Sequence, residues 1–482
     1  MSSHLKLFCL ATVLLLNAGA ANAQFTGTGN GTVANPWHIG CGTTNPQSTT
    51  QARYAAVTAY ISGTILYING TGNMADFWCS GAPINGQAPW YWSHRSIIRT
   101  VVVGNNVTNI GDKAFEGCTA LTTIERWGNV QRIGKKAFEG CTGLVSITIP
   151  HTVTEIEGEA FRNCINLRNV TIENHHTTLS FTGYNNRTAE TICNSPHNHN
   201  TFNWFLNCPI ETLHLGRNYT LSTAFSFHSD LFARTSTLQT LTIGSTVTEL
   251  GYNAFKDCSS LKNVTLQDGG GLSIFAGAFD NCPIQLLYLG RTVSAVGGWQ
   301  PFQGKTSLTT LTIGSNVTSM GFQAFSSCSG LTQITSHREM PPTIDVTTFR
   351  GIGNNNPNNV NVKVPCNSIC AYQRDWSVAS FTNYQSITNG CNSSCLSSIN
   401  EIPADQLQIF PNPVKDKFFI KSELQIENIE MCDLSGRAVE TLRATSLQNS
   451  VQTINVSALS QGVYLLKIQT NEGLAIRKLV KE

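Results

Sequence analysis

The chain has 482 residues, of which 12% are charged, and its formal net charge at pH 7 is +2. Soluble proteins usually carry about 25% charged residues, and nucleic-acid binding requires a basic surface that this charge balance does not supply. The same balance argues against an anionic membrane surface as the main partner. The composition therefore excludes nucleic acid and anionic lipid as the leading ligand classes.

The N-terminus has the pattern of a secretory signal. Lys6 provides positive charge, and residues 7–16 form an apolar stretch of about ten residues. Ala21-Asn22-Ala23 matches an A-x-A cleavage site, so we expect residues 1–23 to be removed and the mature chain to begin near Gln24. The stretch is too short to span a bilayer. The sequence thus predicts an exported protein with no transmembrane helix in its mature chain.

A phenylalanine recurs through residues 97–345, mostly at intervals of 23 residues. An alanine usually precedes it, a cysteine follows three positions later, and an apolar triplet spaced L-x-x-L-x-L comes next, as in Leu144, Ile147 and Ile149. The recurring residues are Phe115, Phe138, Phe161, Phe205, Phe232, Phe255, Phe279, Phe302 and Phe325. Self-similarity at one period indicates stacked units that bury their apolar faces only against each other. We therefore predict an α/β-type repeat solenoid with a parallel β-sheet.

The repeat resembles the BspA-type (Treponema-type) bacterial leucine-rich repeats over about residues 97–345. Residues 63–74 and 88–90 are similar to the lead-in segment of that family, so we assign residues 24–96 to an N-terminal cap. Thr235 and Lys305 depart from the pattern at the cysteine position. The resemblance implies a curved leucine-rich repeat stack. It also implies adhesion to host extracellular matrix, mucosal or bacterial surface ligands.

Seven cysteines occupy the repeat position. They are Cys118, Cys141, Cys164, Cys208, Cys258, Cys282 and Cys328. Free cysteine is small and often buried, and strands about 4.8 Å apart hold neighbouring Cβ atoms farther apart than the ~3.8 Å of a disulfide. We interpret these residues as a structural ladder that packs, or hydrogen-bonds weakly, against the neighbouring turn. The distance between neighbouring Cβ atoms disfavours the alternative that these cysteines form a redox-active row, and we also favour the structural interpretation over metal binding.

The exposed strand positions between the apolar residues are mostly threonines. Threonine favours exposed strands because its β-branched side chain packs well there, and this explanation is compatible with a functional one, a flat uncharged surface for an extended protein or glycan. His214, Tyr288 and Leu286 break the threonine pattern and are the best candidates for ligand contact. Thr242, Thr265 and Thr312 complete the candidate set.

Residues 173–204 interrupt the repeat with a segment rich in histidine. Its metal-binding side chains are His175, His176, Cys193, His197 and His199. Their spacing matches no tight zinc pattern, and the abundance of Asn, Ser and Thr indicates an exposed loop. We predict no metal here and expect the insert to shape a partner surface.

A cysteine-rich segment follows the repeats. Cys366-x3-Cys370 and Cys391-x3-Cys395 would indicate zinc in a cytosolic chain, but in an exported chain disulfides are favoured. Residues 362–376 look like the closing segment of the family, so we assign residues 346–398 to a C-terminal cap and linker. The disulfide candidates are Cys41, Cys79, Cys366, Cys370, Cys391 and Cys395, which leaves Cys193 without a partner.

Residues 403–482 differ in composition and alternate between strands and turns, which predicts a small β-sandwich. Pro411-Asn412-Pro413, the Asp-x-x-Gly-Arg turn at 433–437, Gly462-Val463-Tyr464 and a basic final strand closely resemble the type A C-terminal sorting domain of the Bacteroidetes type IX secretion system. The resemblance implies recognition by the secretion machinery, passage across the outer membrane and removal of the domain, often with attachment of the remainder to lipopolysaccharide. An immunoglobulin-like accessory domain is the alternative.

Together these features predict a cell-surface or secreted recognition protein that binds an extracellular protein or glycan. The sequence contains no G-x-S-x-G, H-E-x-x-H or glycine-rich phosphate loop, and its acidic residues are scattered. We therefore expect neither an enzyme nor a cofactor. Glycan or nutrient capture is the alternative function, and the candidate aromatic platforms for it are Trp90, Trp92, Trp204 and Trp299.

Overall fold

The computed structural model describes residues 30–39, 57–77, 87–183, 204–222, 231–298, 300–388, 407–422, 424–433, 438–443, 451–470 and 473–482. The predicted signal peptide and Cys41, Cys79, Cys193, Cys391 and Cys395 lie outside these residues. The chain divides into two compact units, Met1–Cys391 and Asn392–Glu482.

The first unit is built almost entirely of short strands. In chain order they are β1 (Trp37–His38), β2 (Val57–Ser62), β3 (Ile65–Gly72), β4 (Thr100–Val103), β5 (Asn106–Val107), β6 (Asn109–Ile110), β7 (Thr123–Arg126), β8 (Arg132–Ile133), β9 (Ser146–Ile149), β10 (Glu155–Glu157), β11 (Asn169–Ile172), β12 (Leu179–Thr182), β13 (Thr212–Leu215), β14 (Tyr219–Ser222), β15 (Thr240–Ile243), β16 (Glu249–Leu250), β17 (Asn263–Leu266), β18 (Leu272–Phe275), β19 (Leu286–Arg291), β20 (Val293–Val296), β21 (Thr310–Asn316), β22 (Gln333–Ser336), β23 (Asn361–Val364) and β24 (Tyr384–Ser386). Helix α1 (Ile369–Asp375) lies between β23 and β24, with short 3-10 turns at Pro357–Asn359, Cys366–Ser368 and Ser377–Ala379.

An antiparallel hairpin begins the first unit. Strands β2 and β3 pair over their full lengths and turn at Gly63, whose φ of 62° is a left-handed conformation that glycine adopts without strain. β3 then pairs in parallel with β4, and β4 in parallel with β7. The hairpin therefore covers the first repeat strand and changes the sheet from antiparallel to parallel.

The main sheet contains ten parallel strands in the order β9, β11, β13, β15, β17, β19, β21, β22, β23 and β24. In β9, Ile147 and Ile149 are buried while Ser146 and Thr148 are exposed, the alternation expected of a sheet with one face in the core. Most of the repeat strands have four residues and begin after the first residue of the apolar triplet that predicts them. Leu144 lies outside the strand because its amide N–H donates to the Cys141 carbonyl and closes a turn.

In most repeats, a second apolar pair follows the strand of the apolar triplet, and these pairs form a second set of parallel strands. One sheet has the order β14-β12-β10-β8-β6 and another β16-β18-β20. Strand β12 lies within the predicted insert and pairs with both β10 and β14. The beginning of the insert is thus a regular part of the stack, where an exposed loop was expected. With the main sheet, these strands confirm the predicted repeat solenoid.

Ten phenylalanine rings form one continuous stack through the core of the first unit. Neighbouring ring centroids are 5.1 to 6.0 Å apart, and the interplanar angles range from 1° to 30°. Nine of these rings are the recurring phenylalanines of the sequence, and Phe349 adds a tenth. Each such aromatic contact contributes about 0.5–1.5 kcal/mol beyond apolar burial. The ring stack therefore links every repeat to its neighbours.

A buried tryptophan covers each end of the phenylalanine stack. Trp90 lies 5.9 Å from the Phe115 ring, and Trp376 lies 5.5 Å from the Phe349 ring. The Trp90 Nε1 donates to the Ala114 carbonyl at 2.8 Å, and the Trp376 Nε1 donates to a carbonyl at 2.9 Å. Repeat stacks need terminal covers, and these indoles supply apolar surface while satisfying their own N–H groups.

The second unit contains the strands β25 (Leu407–Phe410), β26 (Lys417–Ser422), β27 (Ile426–Cys432), β28 (Ala438–Arg443), β29 (Val451–Asn455), β30 (Gly462–Thr470) and β31 (Gly473–Lys481). They form two antiparallel sheets, β25-β26-β29 and β28-β27-β30-β31. Phe418, Met431 and Leu466 belong to the buried core of this unit. The small β-domain predicted after the repeats is confirmed.

The Pro-Asn-Pro segment of the second unit fixes its last strand. The Asn412 Nδ2 donates to the Lys478 carbonyl at 2.7 Å, and the Val480 N–H donates to the Asn412 Oδ1 at 2.9 Å. The Val414 N–H also donates to the Val480 carbonyl at 2.8 Å. One asparagine side chain thereby replaces a strand partner for β31.

Within the part of the chain that the structure describes, no helix is both long enough and apolar enough to cross a bilayer.

Candidate ligand-binding face

Parallel register arranges the outward side chains of the main sheet in continuous rows. The first row is Thr148, Thr171, His214, Thr242, Thr265, Tyr288, Thr312 and Thr335. The second row is Ser146, Asn169, Thr212, Thr240, Asn263, Leu286, Thr310 and Gln333. We call these two rows the polar face. All six residues predicted to contact ligand lie on it, five in the first row and Leu286 in the second.

The polar face is chemically uniform and carries no carboxylate, ammonium or guanidinium group. Its hydroxyls and amides can both donate and accept hydrogen bonds, and some already bond across strands, as Asn263 Nδ2 does to Thr240 Oγ1 at 3.4 Å. Lys363 on β23 continues the first row beyond Thr335. The arrangement can bind a neutral extended ligand along the direction in which the strands stack.

His214 is held from one side by the loop that follows the preceding strand. Its Nε2 lies 2.9 Å from the Asn174 Oδ1, and the side chain is half-buried. Burial lowers the pKa of the imidazole, because a low-dielectric surrounding disfavours the charged ring. The neutral tautomer that donates through Nε2 to Asn174 fits both observations.

Tyr288 is held in the same way three strands further along. Its hydroxyl donates to the Asp268 Oδ2 at 3.0 Å. Burial and the Asp268 carboxylate both raise the pKa of the phenol, so the hydroxyl remains a donor. Asn174 and Asp268 occupy the second position after β11 and β17 respectively, which makes the two arrangements equivalent.

The sequence around these two positions is itself repeated. Asn207-Cys208-Pro209-Ile210 precedes Leu-His-Leu-Gly-Arg at 213–217, and Asn281-Cys282-Pro283-Ile284 precedes Leu-Tyr-Leu-Gly-Arg at 287–291. The 23-residue period conceals this longer duplication. We call residues 164–217 and 258–291 the first and second paired modules.

Glycines make room for the two loop residues. A Cβ added to Gly244 would lie 2.1 Å from the Asn174 Oδ1, and one added to Gly314 would lie 2.9 Å from both the Asp268 Oδ1 and the Tyr288 hydroxyl. Real Cβ contacts are far longer, so a larger residue at Gly244 would displace the Asn174 side chain. The glycines therefore fix how the rings of His214 and Tyr288 are presented.

Each paired module ends in a buried arginine that the sequence analysis did not identify. Arg217 donates to the His151 carbonyl at 3.0 Å and to the Pro150 carbonyl at 2.8 Å. Arg291 donates to the carbonyls of Val247 at 2.6 Å and Gly244 at 2.7 Å. Burial lowers the pKa of both guanidinium groups. A Gly-Arg pair directly after the apolar triplet of a repeat was the available signal.

The seven ladder cysteines are buried and free. Six of them donate through Sγ to the carbonyl of the phenylalanine one repeat earlier, as Cys141 does to Phe115 at 3.0 Å. Lys305 stands at a cysteine position, and its Nζ donates to the equivalent Phe279 carbonyl at 2.5 Å. Burial raises the pKa of Cys118 to about 12 and that of Cys328 to about 11. Cys118 and Cys328 therefore remain protonated at neutral pH, and Cys328 serves as a weak hydrogen-bond donor.

The other sequence candidates are placed outside the polar face. Cys366 and Cys370 are both disulfide-bonded. His175 stacks on His151 with ring centroids 5.2 Å apart. Among the described residues, no group of three or more His, Cys, Asp or Glu side chains is arranged to hold a metal ion.

The tryptophans proposed as glycan platforms divide into two groups. Trp90 and Trp204 are buried, while Trp92 is 69% exposed. The Trp204 Nε1 donates to the Thr182 carbonyl at 3.2 Å, so this residue packs against β12. Trp299 lies outside the described residues.

An ion-pair cluster that the sequence analysis did not predict joins Asp76, which lies within the predicted N-terminal cap, to the first repeats. The Arg132 Nη2 lies 2.8 Å from both the Asp76 Oδ1 and the Asp112 Oδ1, and its Nε lies 2.9 Å from the Glu157 Oε1. Burial and the two neighbouring carboxylates raise the pKa of Asp112. These contacts join residues from the cap and from β8 and β10.

Two known families match the sequence. The family described as "BspA type Leucine rich repeat region" matches residues 108–231 and 225–356, with six copies. The family described as "Secretion system C-terminal sorting domain" matches residues 408–482. No curated protein matches the chain.

Several solved structures are similar to this chain. A leucine-rich repeat protein from Eubacterium ventriosum is 19% identical, over 64% of this chain and 82% of its own, with a TM-score of 0.28. A leucine rich cell surface protein from Faecalibacterium prausnitzii is 18% identical, over 71% and 96%, with a TM-score of 0.25. The pneumococcal vaccine antigen PcpA is 16% identical, over 70% and 97%, with a TM-score of 0.26.

The sorting domain confirms the predicted export by type IX secretion to the cell surface or the extracellular space. The repeat family covers more than half of the residues. The chain therefore belongs to the BspA-type leucine-rich repeat proteins and carries a type IX secretion sorting domain.

Proposed function

We propose that this exported protein is an adhesin whose polar face binds a protein ligand of the host matrix or of a cell surface. The observation that carries the proposal is the continuity of the polar face, a neutral surface spanning eight main-sheet strands. His214, Leu286 and Tyr288 interrupt its threonines with larger side chains. Leu286 is 48% exposed, so it offers apolar contact area beside the Tyr288 ring.

Rigidity supports a binding role for this face. The strands beneath it are fixed by parallel hydrogen bonding, and the phenylalanine stack fixes the spacing of the repeats from within. A preorganised surface loses little conformational entropy when a ligand binds. The Asn174 and Asp268 contacts extend this preorganisation to the two ring side chains on the face.

The chemistry of the face favours binding over catalysis. Hydroxyls and carboxamides do not change protonation near neutral pH, and His214 has a neutral amide as its partner where a catalytic base would be paired with a reacting group. Members of repeat families commonly bind along an extended surface. The alternative of glycan capture loses two of its four aromatic platforms because Trp90 and Trp204 are buried.

Delivery to the surface follows from the C-terminal domain, and we propose that its removal leaves the repeat unit attached to lipopolysaccharide. Recognition by the type IX machinery is implied by the family. Mass spectrometry of the protein from its native cell tests the processing step. An intact C-terminus on surface protein would contradict it.

A binding panel tests the adhesin proposal. The full chain is measured against matrix proteins, mucins and glycans, beside a variant with His214→Glu, Leu286→Glu and Tyr288→Glu. We expect saturable binding to a protein ligand and its loss in this variant, because the contacts of the three native side chains are removed and three carboxylates would lose hydration against a neutral partner without gaining an opposite charge.

The matched control carries three glutamates at exposed apolar positions outside the polar face, Tyr252→Glu, Phe322→Glu and Val346→Glu. Thermal unfolding establishes that both variants remain folded. Binding retained by the control and lost by the first variant supports the proposal. Binding retained by the first variant would contradict it.

A further inference from the structure

The two paired modules place their ring side chains at equivalent points on the polar face. His214 on β13 and Tyr288 on β19 share the first row, with β15 and β17 between them. Three strand intervals of about 4.8 Å separate the rings by roughly 14 Å along the stack. The duplication thus produces two similar contact points at a set distance.

Each ring is fixed by its own module. The Asn174 side chain accepts from His214, the Asp268 side chain accepts from Tyr288, and both loop residues lie over glycines that leave them room. The hydrogen-bonded edge of each ring faces its loop. Two rings held by equivalent loop positions are therefore available to one ligand molecule.

The surface between the rings restricts the charge of that ligand. Thr242 and Thr265 occupy the intervening positions of the first row, and Thr240 and Asn263 occupy those of the second. The threonine and asparagine side chains at these positions are smaller than the rings of His214 and Tyr288. No position of the two rows between the rings carries an ionised side chain, and the Asp268 carboxylate already accepts from the Tyr288 hydroxyl, so a charged ligand group between the rings would lose hydration without gaining a partner.

An extended polypeptide matches the distance between the two rings. At about 3.4 Å per residue, side chains four positions apart are roughly 14 Å apart and point to the same side of the chain. Residues three or five apart point to opposite sides. The agreement between these two distances favours a peptide segment that runs in the direction in which the strands are stacked. Residues i and i+4 of this segment point towards the polar face.

We propose that His214 and Tyr288 are twin anchors of one site for an uncharged, extended peptide segment of the protein ligand. This inference rests on the proposed adhesin function and specifies its ligand chemistry. Side chains i and i+4 of the segment contact the two rings by hydrogen bonds or aromatic packing. The hydroxyls of Thr242 and Thr265 hydrogen-bond to the peptide backbone between them.

Selection from a phage-displayed library of random peptides, 12 residues long, on the full chain provides the probe. We expect enriched peptides to be uncharged in their central segment and to share hydrogen-bonding or aromatic residues four positions apart. Single variants His214→Thr and Tyr288→Thr should each weaken their binding about tenfold. Threonine is the ordinary residue of this row, so both variants keep a native type of strand surface.

A variant with the anchor moved tests the spacing itself. His214→Thr combined with Thr242→His keeps the composition of the face but brings the two rings to about 10 Å. The affinity of the enriched peptides for this double variant should be about as low as their affinity for the single variant His214→Thr. Full binding to the variant with the anchor moved, insensitivity to His214→Thr and Tyr288→Thr, or no enrichment would each overturn the proposal.

The binding function of the polar face and the role of the twin anchors can be contradicted separately. If the triple-glutamate variant loses the protein ligand but the selected peptides ignore the ring spacing, the adhesive face stands and the twin anchors are wrong. If the protein ligand still binds that variant, the polar face itself is not the binding site.

Discussion

The guanidinium of Arg291 lies 2.7 Å from the carbonyl oxygen of Gly244, although Arg291 ends β19, Gly244 follows β15, and β17 lies between these strands. Arg217 makes the same kind of contact with the Pro150 carbonyl across β11. Nearest-neighbour stacking is the usual source of stability in repeat proteins. These arginines add contacts between next-nearest repeats, beside the loops that hold His214 and Tyr288.

Replacing Arg291 with methionine should lower the free energy of unfolding by about 2–4 kcal/mol, because buried carbonyls lose their donor. Lysine at this position should recover only part of the loss, since one ammonium cannot reproduce the fork of a guanidinium. Urea unfolding measures both effects. Arg168→Met is the control because the Arg168 side chain is exposed. An equal loss of unfolding free energy in Arg168→Met and Arg291→Met would contradict the stabilising role of Arg291.

Trp376→Ala should destabilise the first unit by about 3–5 kcal/mol, the usual effect of removing a large buried aromatic side chain. The variant removes the cover of the Phe349 ring and the hydrogen bond to the Pro342 carbonyl. Trp92→Ala removes the same side chain from an exposed position and should change stability little. Thermal unfolding that ranks the two variants equally would show that Trp376 does not act as a cap.

Alkaline pH should destabilise the cysteine ladder. Burial raises the pKa of Cys328 to about 11 and that of Cys118 to about 12, while an unfolded thiol has a pKa of about 8.5. The unfolded chain releases these protons first, so the stabilisation is complete below about pH 8.5 and is lost as the pH rises towards the folded pKa values. At pH 10 the contribution of each of these two thiols to the free energy of unfolding should be lower by about 2 kcal/mol.

Urea unfolding at pH 8 and pH 10 measures this loss. Cys328→Ala should be less stable than the native chain at pH 8 but should lose less stability between the two pH values. An identical pH dependence in both proteins would contradict the protonated ladder.

Acidic pH should act on His214. Burial lowers the pKa of its imidazole, so the neutral form is favoured in the folded chain. The associated stabilisation is present above the unfolded pKa of about 6.5 and is lost as the pH falls through the lower folded value. We expect the melting temperature of His214→Thr to fall less than that of the native chain between pH 7.5 and pH 5. A larger fall in the melting temperature of His214→Thr than in that of the native chain would contradict the lowered pKa of His214.

Asn412→Ala should impair export. The variant removes the acceptor of the Val480 N–H and the donor to the Lys478 carbonyl, which loosens the Pro-Asn-Pro segment from the last strand, while β31 stays paired with β30. Both bonds are exposed to solvent, so the loss of each should cost about 0.5–1.5 kcal/mol. Fractionation of the native cell should find more protein retained inside the outer membrane. Lys421→Ala, at an exposed position of β26, serves as the control, and normal export of Asn412→Ala would contradict the role of the segment.

The parts of the fold that depend on neighbouring repeats could be predicted from the sequence. The phenylalanine period fixes the strand register, and the register places His214 and Tyr288 in one row. Phe349 escaped detection because Thr348 precedes it where an alanine is usual and Ile352 stands at the cysteine position. Local departures from the pattern conceal a repeat even when the ring occupies its usual place.

Contacts that skip a repeat were beyond the sequence pattern. The bonds of Arg217 and Arg291 depend on which turn carbonyls lack a partner after folding, and this depends on the paths of the loops after β9 and β15. The same holds for Asn174 and Asp268, whose positions over glycines follow from backbone geometry. The duplicated sequence of the paired modules was therefore visible, but its structural role became clear only from these contacts.

Quantitative binding of the full chain to a protein ligand from the panel tests the central claim most directly, with the His214→Glu, Leu286→Glu, Tyr288→Glu variant measured beside it. The account predicts saturable binding by the native chain and its loss by the folded variant. Unchanged affinity in the folded variant would contradict the account, because the ligand would then bind away from the polar face.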